Sequence, residues 1–494
     1  MKKIILKSAL SLALVASMTS CGDTWLETQL PNGIDLETAL DNPDNVGIAL
    51  NGTYFRLFNY RFAGDYAILI GDVCSDDTYS TLTNGQFRNL YQFVYQDTES
   101  ILYYIWNYGY KVADNSARVI QATQKLIPSA EGYELEDLML YEAEARCLRA
   151  YANLTMVNIF CHQAMVSGTS YLNEPGLVLV DEPIEAYAQV SRATVGETYN
   201  FIVNDLTAAI DLFEELGYDR GELQYFNLPA AYGLLARANM YLENWGAAAT
   251  AAQNAIDESG ITSLCYTTAA YNALYNNATS NNESFFALAI TPLDNWSANS
   301  CGTLYSTYGY SVSPYLASLY SDDDCRKYLI TLFSDPSEPY DNNYMGGKFW
   351  YGGGNSAYAT NYIVNAPEMF LIQAEAYANL NQISNAQDAL LVVAKRDNSI
   401  TSTADLPSTQ SGLLSFLRDE RARELFQEGF RLWDLRRWNV TCNLYATDAP
   451  DVAWNFNNTN VGNLVFPIPV DEINAGFGVT QNTNWYNTKP TNNP

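Results

Sequence analysis

The spacing of hydrophobic residues predicts helices separated by long stretches without a helical period. Apolar side chains that recur every three or four residues favour helices over about 44–58, 101–127, 135–160, 194–260 and 363–438. Thr194, with Glu197 three residues later, forms a capping box at the beginning of one helix. The segments without this period are 61–100, 261–362 and 439–494, which we predict to be irregular. The pattern therefore predicts a mainly α-helical protein with a large irregular, loop-rich insertion.

Two predicted helical hairpins share a spacing of small residues. Ala238 and Tyr241 precede one alanine-rich helix, and Ala374 and Tyr377 precede another. Small side chains at this spacing let antiparallel helices approach closely, as in tetratricopeptide repeats. We therefore expect a right-handed tetratricopeptide-like helical-repeat scaffold. Because the copies are far apart in the chain, the repeats are dispersed and do not form a free solenoid. We expect residues 261–362 to pack on this scaffold, so that 21–494 form a single unit.

The stretch from Arg418 to Trp438 places charge inside an apolar pattern. Leu417, Arg421 and Leu425 fall on one helix face, and a buried arginine needs carboxylate partners. These residue types are compatible with a carboxylate–arginine active site. A structural charge network is the interpretation we favour, since such networks also perturb charges without doing chemistry. The candidate partners of Arg421 are Glu420, Glu424 and Asp434.

Glycine and aromatic residues in the same stretch predict how the helix ends. Gly429 can adopt the left-handed conformation that closes a helix. Phe430, Trp433 and Trp438 supply large apolar area, and we expect them to lock the following turn into a core.

Two motifs in this region resemble a known family. Glu-Arg-Ala-Arg-Glu-Leu at 420–425 and Glu-Gly-Phe-Arg-Leu-Trp-Asp-Leu-Arg-Arg-Trp at 428–438 resemble the C-terminal helical signature of the SusD/RagB family. Leu-Val-Phe-Pro-Ile-Pro-Val-Asp-Glu-Ile at 464–473 and Thr-Gln-Asn at 480–482 resemble its closing motif. The predicted helices over 135–160 and from Thr194 onward are also similar to it.

The resemblance implies a SusD-like fold and a function without catalysis. SusD/RagB proteins are glycan-binding lipoproteins on the surface of Bacteroidetes cells, anchored in the outer membrane. They form a lid over a SusC-like TonB-dependent transporter and deliver oligosaccharides to it for nutrient uptake. The expectation is therefore a glycan-binding protein that is not an enzyme. Two alternatives remain: a carboxylate-dependent glycoside hydrolase, which needs only two carboxylates, and a SusD-like protein that binds peptides.

Charge and histidine content exclude several other functions. The chain has 26 basic and 55 acidic residues, and without Lys2, Lys3 and Lys7 of the leader 23 basic residues remain. The formal net charge then changes from −29 to −32, which disfavours nucleic acid as a partner. His162 is the only histidine, so His-dependent catalytic triads and multi-histidine metal sites are excluded. We predict no cofactor and no metal site.

The N-terminus predicts export and lipidation. Residues 1–20 combine Lys2 and Lys3 with an apolar run from Leu10 to Ala16, as in a signal peptide. Cys21 follows directly, and we predict that it receives the lipid anchor; an ordinary signal peptide cleaved nearby is the alternative. The other seven cysteines form no Cys-x-x-Cys pair, and we interpret most of them as small core residues.

Aromatic and polar residues in the irregular segments are the candidate ligand-binding residues. No helical period there demands apolar side chains, so we expect an exposed aromatic platform for a neutral or weakly charged oligosaccharide. The candidates are Trp296, Tyr305, Tyr308, Tyr310, Trp350 and Tyr351, together with Asp77, Tyr79 and Asn84.

Overall fold

The helices account for most of the chain that the structure describes. The structure is a computed structural model that describes residues 39–80, 85–276, 281–332, 344–349, 355–445, 452–455 and 461–492. Its α-helices, in chain order, are α1 Pro43–Phe58, α2 Tyr66–Val73, α3 Arg88–Tyr91, α4 Ser100–Leu126, α5 Tyr133–Phe160, α6 Val195–Leu216, α7 Leu228–Tyr241, α8 Trp245–Ser259, α9 Thr268–Asn276, α10 Cys301–Ser306, α11 Pro314–Ser318, α12 Ala366–Asn379, α13 Ile383–Ala394, α14 Gln410–Leu425, α15 Arg431–Trp438 and α16 Val470–Ala475.

The strands are short and form small antiparallel sheets. They are β1 Thr78–Ser80, β2 Met165–Val166, β3 Thr169–Ser170, β4 Ser284–Leu288, β5 Tyr310–Val312, β6 Ile330–Leu332, β7 Tyr344–Gly346, β8 Asn361–Asn365, β9 Asn443–Tyr445, β10 Val452–Asn455 and β11 Thr491–Asn492. One sheet has the order β1-β5-β7-β6, with Thr78 opposite Val312. A second has the order β11-β10-β9, β2 pairs with β3, and β4 pairs with β8.

Several helices begin at a residue whose side chain accepts a hydrogen bond from one of the first backbone N–H groups. The predicted capping box of α6 is confirmed: the Thr194 hydroxyl accepts from the N–H of Glu197, whose carboxylate accepts from the N–H of Thr194. The Asn42 side chain caps α1 by accepting from the N–H of Asn45 at 3.0 Å, with Pro43 at the first helical position. These local rules explain why sequence spacing predicted the helix starts closely.

The scaffold is built from antiparallel helix pairs, as predicted for a tetratricopeptide-like protein. α4 packs on α5 and α5 on α6, while the hairpins α7–α8 and α12–α13 pack against each other through α8 and α12. Alanines let the hairpin helices approach, since Ala238, Ala252 and Ala374 are buried. The prediction of a mainly α, tetratricopeptide-like scaffold is therefore confirmed.

The segments predicted to be irregular contain more regular structure than expected. Residues 61–100 include α2, β1 and α3, and residues 261–362 include α9 to α11 and β4 to β8. These elements span only three to nine residues each, which is too short for a 3.6-residue period to emerge. The antiparallel pairing of β1 with β5 joins the two segments in one sheet.

The charge network around α14 is buried, as predicted, but its pairing differs in part. Arg421 pairs with Asp434, with 2.7 Å between Nε and Oδ2. Glu420 and Glu424 do not serve Arg421; both accept from Arg326, at 2.7 and 2.9 Å. The sequence could not indicate Arg326, because it lies about a hundred residues away in the chain.

A hydrogen bond from Gly429 to Asp72 holds the turn after α14. Gly429 has the predicted left-handed conformation, with a φ of +82°, but it does not close α14, which already ends at Leu425. Its N–H donates to Asp72 Oδ2 at 3.0 Å. Phe430, Trp433 and Trp438 are buried beyond it, which confirms their predicted place in the core.

The cysteines are small interior residues, and no bridge joins any two of the seven that the structure describes. Cys74, Cys147, Cys161, Cys301, Cys325 and Cys442 are buried, and Cys265 is half-buried. Among the described residues, no helix is both long and apolar enough to cross a membrane.

Candidate functional site

An aromatic platform lies on the surface where α1 ends. It consists of Phe55, Phe58, Tyr60 and Trp296. The Trp296 ring lies 5.3 Å from Phe58, 5.6 Å from Tyr60 and 6.4 Å from Phe55, measured between ring centroids. Phe55 is 55% exposed, and Tyr60 and Trp296 are half-buried. The platform thus combines solvent access with mutual ring contacts that restrict its side chains.

Two turns hold the platform in place. Trp296 Nε1 donates to the backbone oxygen of Phe58 at 2.8 Å, which attaches the indole to the end of α1. Asn295 Nδ2 donates to Thr291 O at 3.0 Å and closes the turn before Trp296. On the other side, Asn361 of β8 donates to the backbone oxygens of Ala63 and Gly64, at 3.0 and 2.9 Å. The rings are therefore carried by hydrogen-bonded turns.

A cleft of about 420 Å³ borders the platform. Tyr54 and Tyr225 form part of its wall in an edge-to-face contact, with 5.3 Å between ring centroids. The cleft combines apolar rings with amide, hydroxyl and carboxyl groups at its edge, so it offers both stacking surface and hydrogen-bonding groups. Its lining residues are Asn51, Tyr54, Phe55, Phe58, Gln224, Tyr225, Leu288, Ala289, Thr291 and Asp294.

Phe55 and Tyr60 were not among the sequence-predicted site residues. A signal for Phe55 does exist in α1. The helix buries Val46, Leu50, Tyr54 and Leu57, and Phe55 lies outside that stripe. A single exposed apolar side chain is common, and Ile48 of the same helix is also exposed, so the signal becomes informative only together with the other rings of the platform.

Trp296 is the predicted residue that the structure places on an accessible aromatic surface. Tyr305 and Tyr310 were expected to be exposed, and this was wrong: both are buried. Tyr305 stacks on Phe349 and its hydroxyl donates to Asp72 Oδ2 at 3.0 Å, while Tyr310 donates to Gln86 O at 2.7 Å. Their hydroxyls find partners inside the protein, so burial costs little. Tyr308 is half-buried and packs against the core.

The expected polar site near 76–91 is buried over 76–80, whereas Gln86, Arg88 and Asn89 are exposed. Asp77 lies 3.4 Å from Nε of Arg431, and burial raises the pKa of its carboxyl. Tyr79 packs edge-on against Tyr445. These two residues are therefore interior and not exposed as expected. The predictions for Trp350, Tyr351, Asn84 and Cys21 lie outside the described residues.

Carboxylates of the charge network are engaged by arginines. Burial by itself would raise the pKa of Glu420, but its pairing with Arg326 and Arg423 lowers that pKa to about 2. Glu375 accepts from Arg437 with both oxygens, at 2.5 and 2.7 Å. Carboxylates that are engaged in this way and buried favour the structural interpretation of the network.

His162, Asp322 and Asp324 each contact a neighbouring side chain. The His162 ring stacks on Tyr171 at 5.3 Å, and burial lowers its pKa to about 4, so it is neutral at physiological pH. Asp324 is buried against Arg326, and Asp322 pairs with Lys327. Within the described ranges, no group of three or more His, Cys, Asp or Glu side chains is arranged to hold a metal ion.

Comparison with protein families places this mainly α-helical, tetratricopeptide-like protein in a defined class. Residues 65–242 match the family model described as "Starch-binding associating with outer membrane", and residues 243–485 match the model of the SusD family. The two matches are contiguous. The chain belongs to the SusD family, as the sequence motifs indicated. None of the curated proteins compared with it matches it significantly.

Solved structures have the same fold. A SusD superfamily protein from Bacteroides thetaiotaomicron has a TM-score of 0.77 at 22% identity; the match covers 89% of this chain and 99% of that one. A SusD superfamily protein from Bacteroides vulgatus also has a TM-score of 0.77 at 22% identity, and the match covers 90% of this chain and 99% of that one. A SusD-like carbohydrate binding protein from Bacteroides vulgatus has a TM-score of 0.68 at 22% identity, with coverage of 82% and 84%.

Proposed function

We propose that this protein is a cell-surface glycan-binding lipoprotein that captures oligosaccharides and delivers them to a SusC-like TonB-dependent transporter in the outer membrane. It acts as a binding protein and not as an enzyme. The observation that supports this most directly is the aromatic platform beside a polar-edged cleft on a SusD-family fold. One of the structural relatives is itself described as a carbohydrate binding protein.

The platform suits the chemistry of a sugar ring. The C–H face of a pyranose is apolar and stacks on an aromatic ring, while its equatorial hydroxyls point outward to hydrogen-bonding groups. Trp296 and Phe55 supply the stacking surface, and Gln224, Thr291 and Asp294 at the cleft edge supply donors and acceptors. The hydrogen bond from Trp296 to Phe58 holds the indole before the ligand arrives, which lowers the entropy cost of binding.

A binding test begins with the choice of glycan. Affinity electrophoresis on gels containing plant, host and microbial polysaccharides identifies the glycans that retard the protein. Titration calorimetry with oligosaccharides of a retained glycan then compares Phe55→Ala and Trp296→Ala with the wild type. We expect each variant to bind at least about tenfold more weakly, because each loses a central aromatic contact.

The control is Tyr133→Ala, which removes an 86% exposed aromatic ring at the beginning of α5, outside the platform. It should bind like the wild type, and melting curves should show that all three variants fold. Unchanged affinity in both platform variants would show that the glycan binds at a different site. Incubation with the retained glycan should release no new reducing ends; their appearance would favour a glycoside hydrolase. Binding of peptides with no glycan retained would favour a peptide-binding member of the family.

The lipid anchor is a separate part of the proposal. Cys21 follows the leader directly, and acylation there would tether the chain to the outer membrane. In detergent phase partition of the full chain expressed with its leader, the wild type should enter the detergent phase and Cys21→Ala should stay in the aqueous phase. Equal partition of the two proteins would disprove lipidation at Cys21.

A further inference from the structure

An arginine is held by tyrosines directly beside the aromatic platform. The guanidinium carbon of Arg61 lies 4.5 Å from the ring centroid of Tyr104, 4.9 Å from that of Tyr60 and 5.8 Å from that of Tyr108. Its Nη1 also donates to the Tyr108 hydroxyl at 3.3 Å. Tyr60 is a platform residue, and its ring lies 5.6 Å from Trp296. The platform therefore has a fixed cation at its edge.

The turn that follows α1 explains why Arg61 points there. Asn59 Oδ1 accepts from the N–H of Arg61 at 3.1 Å, and the backbone oxygen of Asn59 accepts from Phe62 and Gly64. Phe62 is buried, so the turn inserts Phe62 into the core and leaves Tyr60 and Arg61 half-buried at the surface. Three tyrosine rings then restrict the arginine side chain.

Arg61 lacks the acidic partner that most interior arginines of this protein have. Arg421, Arg431 and Arg437 each lie within 2.8 Å of a carboxylate oxygen. Within the described ranges, no carboxylate oxygen lies within 4.0 Å of Arg61, although the chain has 55 acidic residues. Arg61 Nε has no hydrogen-bond partner there either, but it is shielded from solvent. The Nη groups of this preoriented guanidinium are therefore the donors suited to pair with an anion from outside.

A second cation lies close to the ring of Tyr108. Lys111 Nζ is 4.6 Å from the Tyr108 ring centroid, and Tyr104, Tyr108 and Lys111 follow one face of α4. Lys111 also has no carboxylate oxygen within 4.0 Å among the described residues. The nearby Asp114 is already paired with Arg118 at 2.8 Å. Among the described residues of this strongly acidic protein, two cations without a carboxylate partner therefore lie within 6 Å of the Tyr108 ring.

We propose that the platform binds an acidic oligosaccharide, with a sugar ring stacked on Trp296 and Phe55 and a carboxylate or sulfate group paired with Arg61. Lys111 adds a second positive charge along α4. This inference rests on the proposed glycan-binding function and specifies its ligand class. It departs from the neutral or weakly charged ligand expected from net charge, because net charge does not describe a local patch.

The test compares acidic oligosaccharides with their neutral counterparts. The probes are oligogalacturonate and its carboxyl-reduced form, and a chondroitin sulfate oligosaccharide, which carries both carboxylate and sulfate, beside its desulfated form, its carboxyl-reduced form and the form with both changes. Neutral starch, xylan and mannan oligosaccharides complete the set. We expect the wild type to bind at least one acidic probe more tightly than its neutral counterpart, and the pair that shows this distinguishes carboxylate from sulfate. The preference should weaken between about 50 and 500 mM NaCl, because salt screens charge pairing.

Arg61→Gln should weaken binding of the preferred acidic probe about tenfold and leave its neutral counterpart unaffected, since only the charge-assisted contact is removed. Lys125→Gln removes an exposed cation from the same helix more than three turns beyond Lys111, and should change neither affinity. Phe55→Ala should weaken binding of both members of the pair. Melting curves verify that each variant folds.

The outcomes separate the two proposals. Binding of neutral probes as tightly as their acidic counterparts, or an acidic preference that survives in Arg61→Gln, would overturn the role of Arg61 and leave glycan binding standing. Failure to bind any probe here or any polysaccharide of the wider panel would overturn glycan binding itself, and this inference with it.

Discussion

At the scale of single residues, Asp72 connects the turn before α15 with helix α10. Its buried carboxylate accepts from the N–H of Gly429 and from the hydroxyl of Tyr305, both at 3.0 Å. Burial raises its pKa from 3.8 to about 7, and these two hydrogen bonds only partly oppose the shift. The folded state therefore binds a proton more tightly than the unfolded chain, where the carboxyl is exposed.

The pH dependence of stability should reveal this carboxyl. Because the folded pKa is the higher one, protonation of Asp72 stabilises the fold fully below about pH 4, and this contribution is lost as the pH rises through about 7. Asp72→Asn cannot lose a proton there. We expect its free energy of unfolding, measured by urea titration, to fall less between pH 5 and pH 8 than that of the wild type, by about 1 kcal/mol or more. Asp322→Asn, at an exposed site, should retain the wild-type dependence. Parallel curves for Asp72→Asn and the wild type would contradict the assignment.

At the scale of elements, the junction of α14 and α15 depends on one glycine. Gly429 has a φ of +82°, and a Cβ added there would lie 2.6 Å from the backbone oxygen of Ile68 in α2. A side chain would therefore meet both a strained backbone conformation and a backbone atom that cannot move aside.

We expect Gly429→Ala to lower the free energy of unfolding by at least about 2 kcal/mol, because α2 and α15 must separate to admit the methyl group. Gly246→Ala is the matched control: a Cβ at this exposed position of α8 would meet nothing within 4 Å. It should be neutral or stabilising by up to about 1 kcal/mol, since alanine favours helix more than glycine does. Equal effects of the two substitutions in urea unfolding would show that the contact with Ile68 is unimportant.

At the scale of the whole molecule, we propose that residues 21–494 form one unit in which the segment 261–362 does not fold alone. Phe286, Tyr305 and Tyr310 of that segment belong to the same hydrophobic cluster as the scaffold helices. β5 pairs with β1, and β8 continues directly into α12. Separating the segment would expose this shared core and break a sheet.

One cooperative unfolding transition is therefore expected. Far-ultraviolet circular dichroism, which reports mainly on the helices, and tryptophan fluorescence should give coincident urea midpoints. Limited proteolysis should not release a stable fragment that corresponds to 261–362. Two separate transitions, or a protease-resistant fragment of that segment with its own melting transition, would show an independent domain.

Sequence patterns predicted the helices well and the short elements poorly, for a physical reason. The capping box of α6 and the apolar stripe of α14 are encoded within a few neighbouring residues, so they are legible locally. β1 and β5 have three residues each and exist because they pair with one another across more than two hundred residues. Such pairing leaves no periodic trace in either strand.

What the sequence alone determined about this protein is the type of scaffold, the family and the burial of charge near Arg421, because helix periodicity, caps and contiguous motifs depend on neighbours in the chain. The tertiary structure decided which aromatic rings reach the surface. Tyr305 and Tyr310 can be buried because Asp72 and Gln86, from distant segments, accept hydrogen bonds from their hydroxyls. Trp296 reaches the platform because the end of α1, 238 residues earlier, accepts from its indole. Whether an aromatic side chain is exposed depends on such long-range contacts, so it cannot be predicted from residue composition.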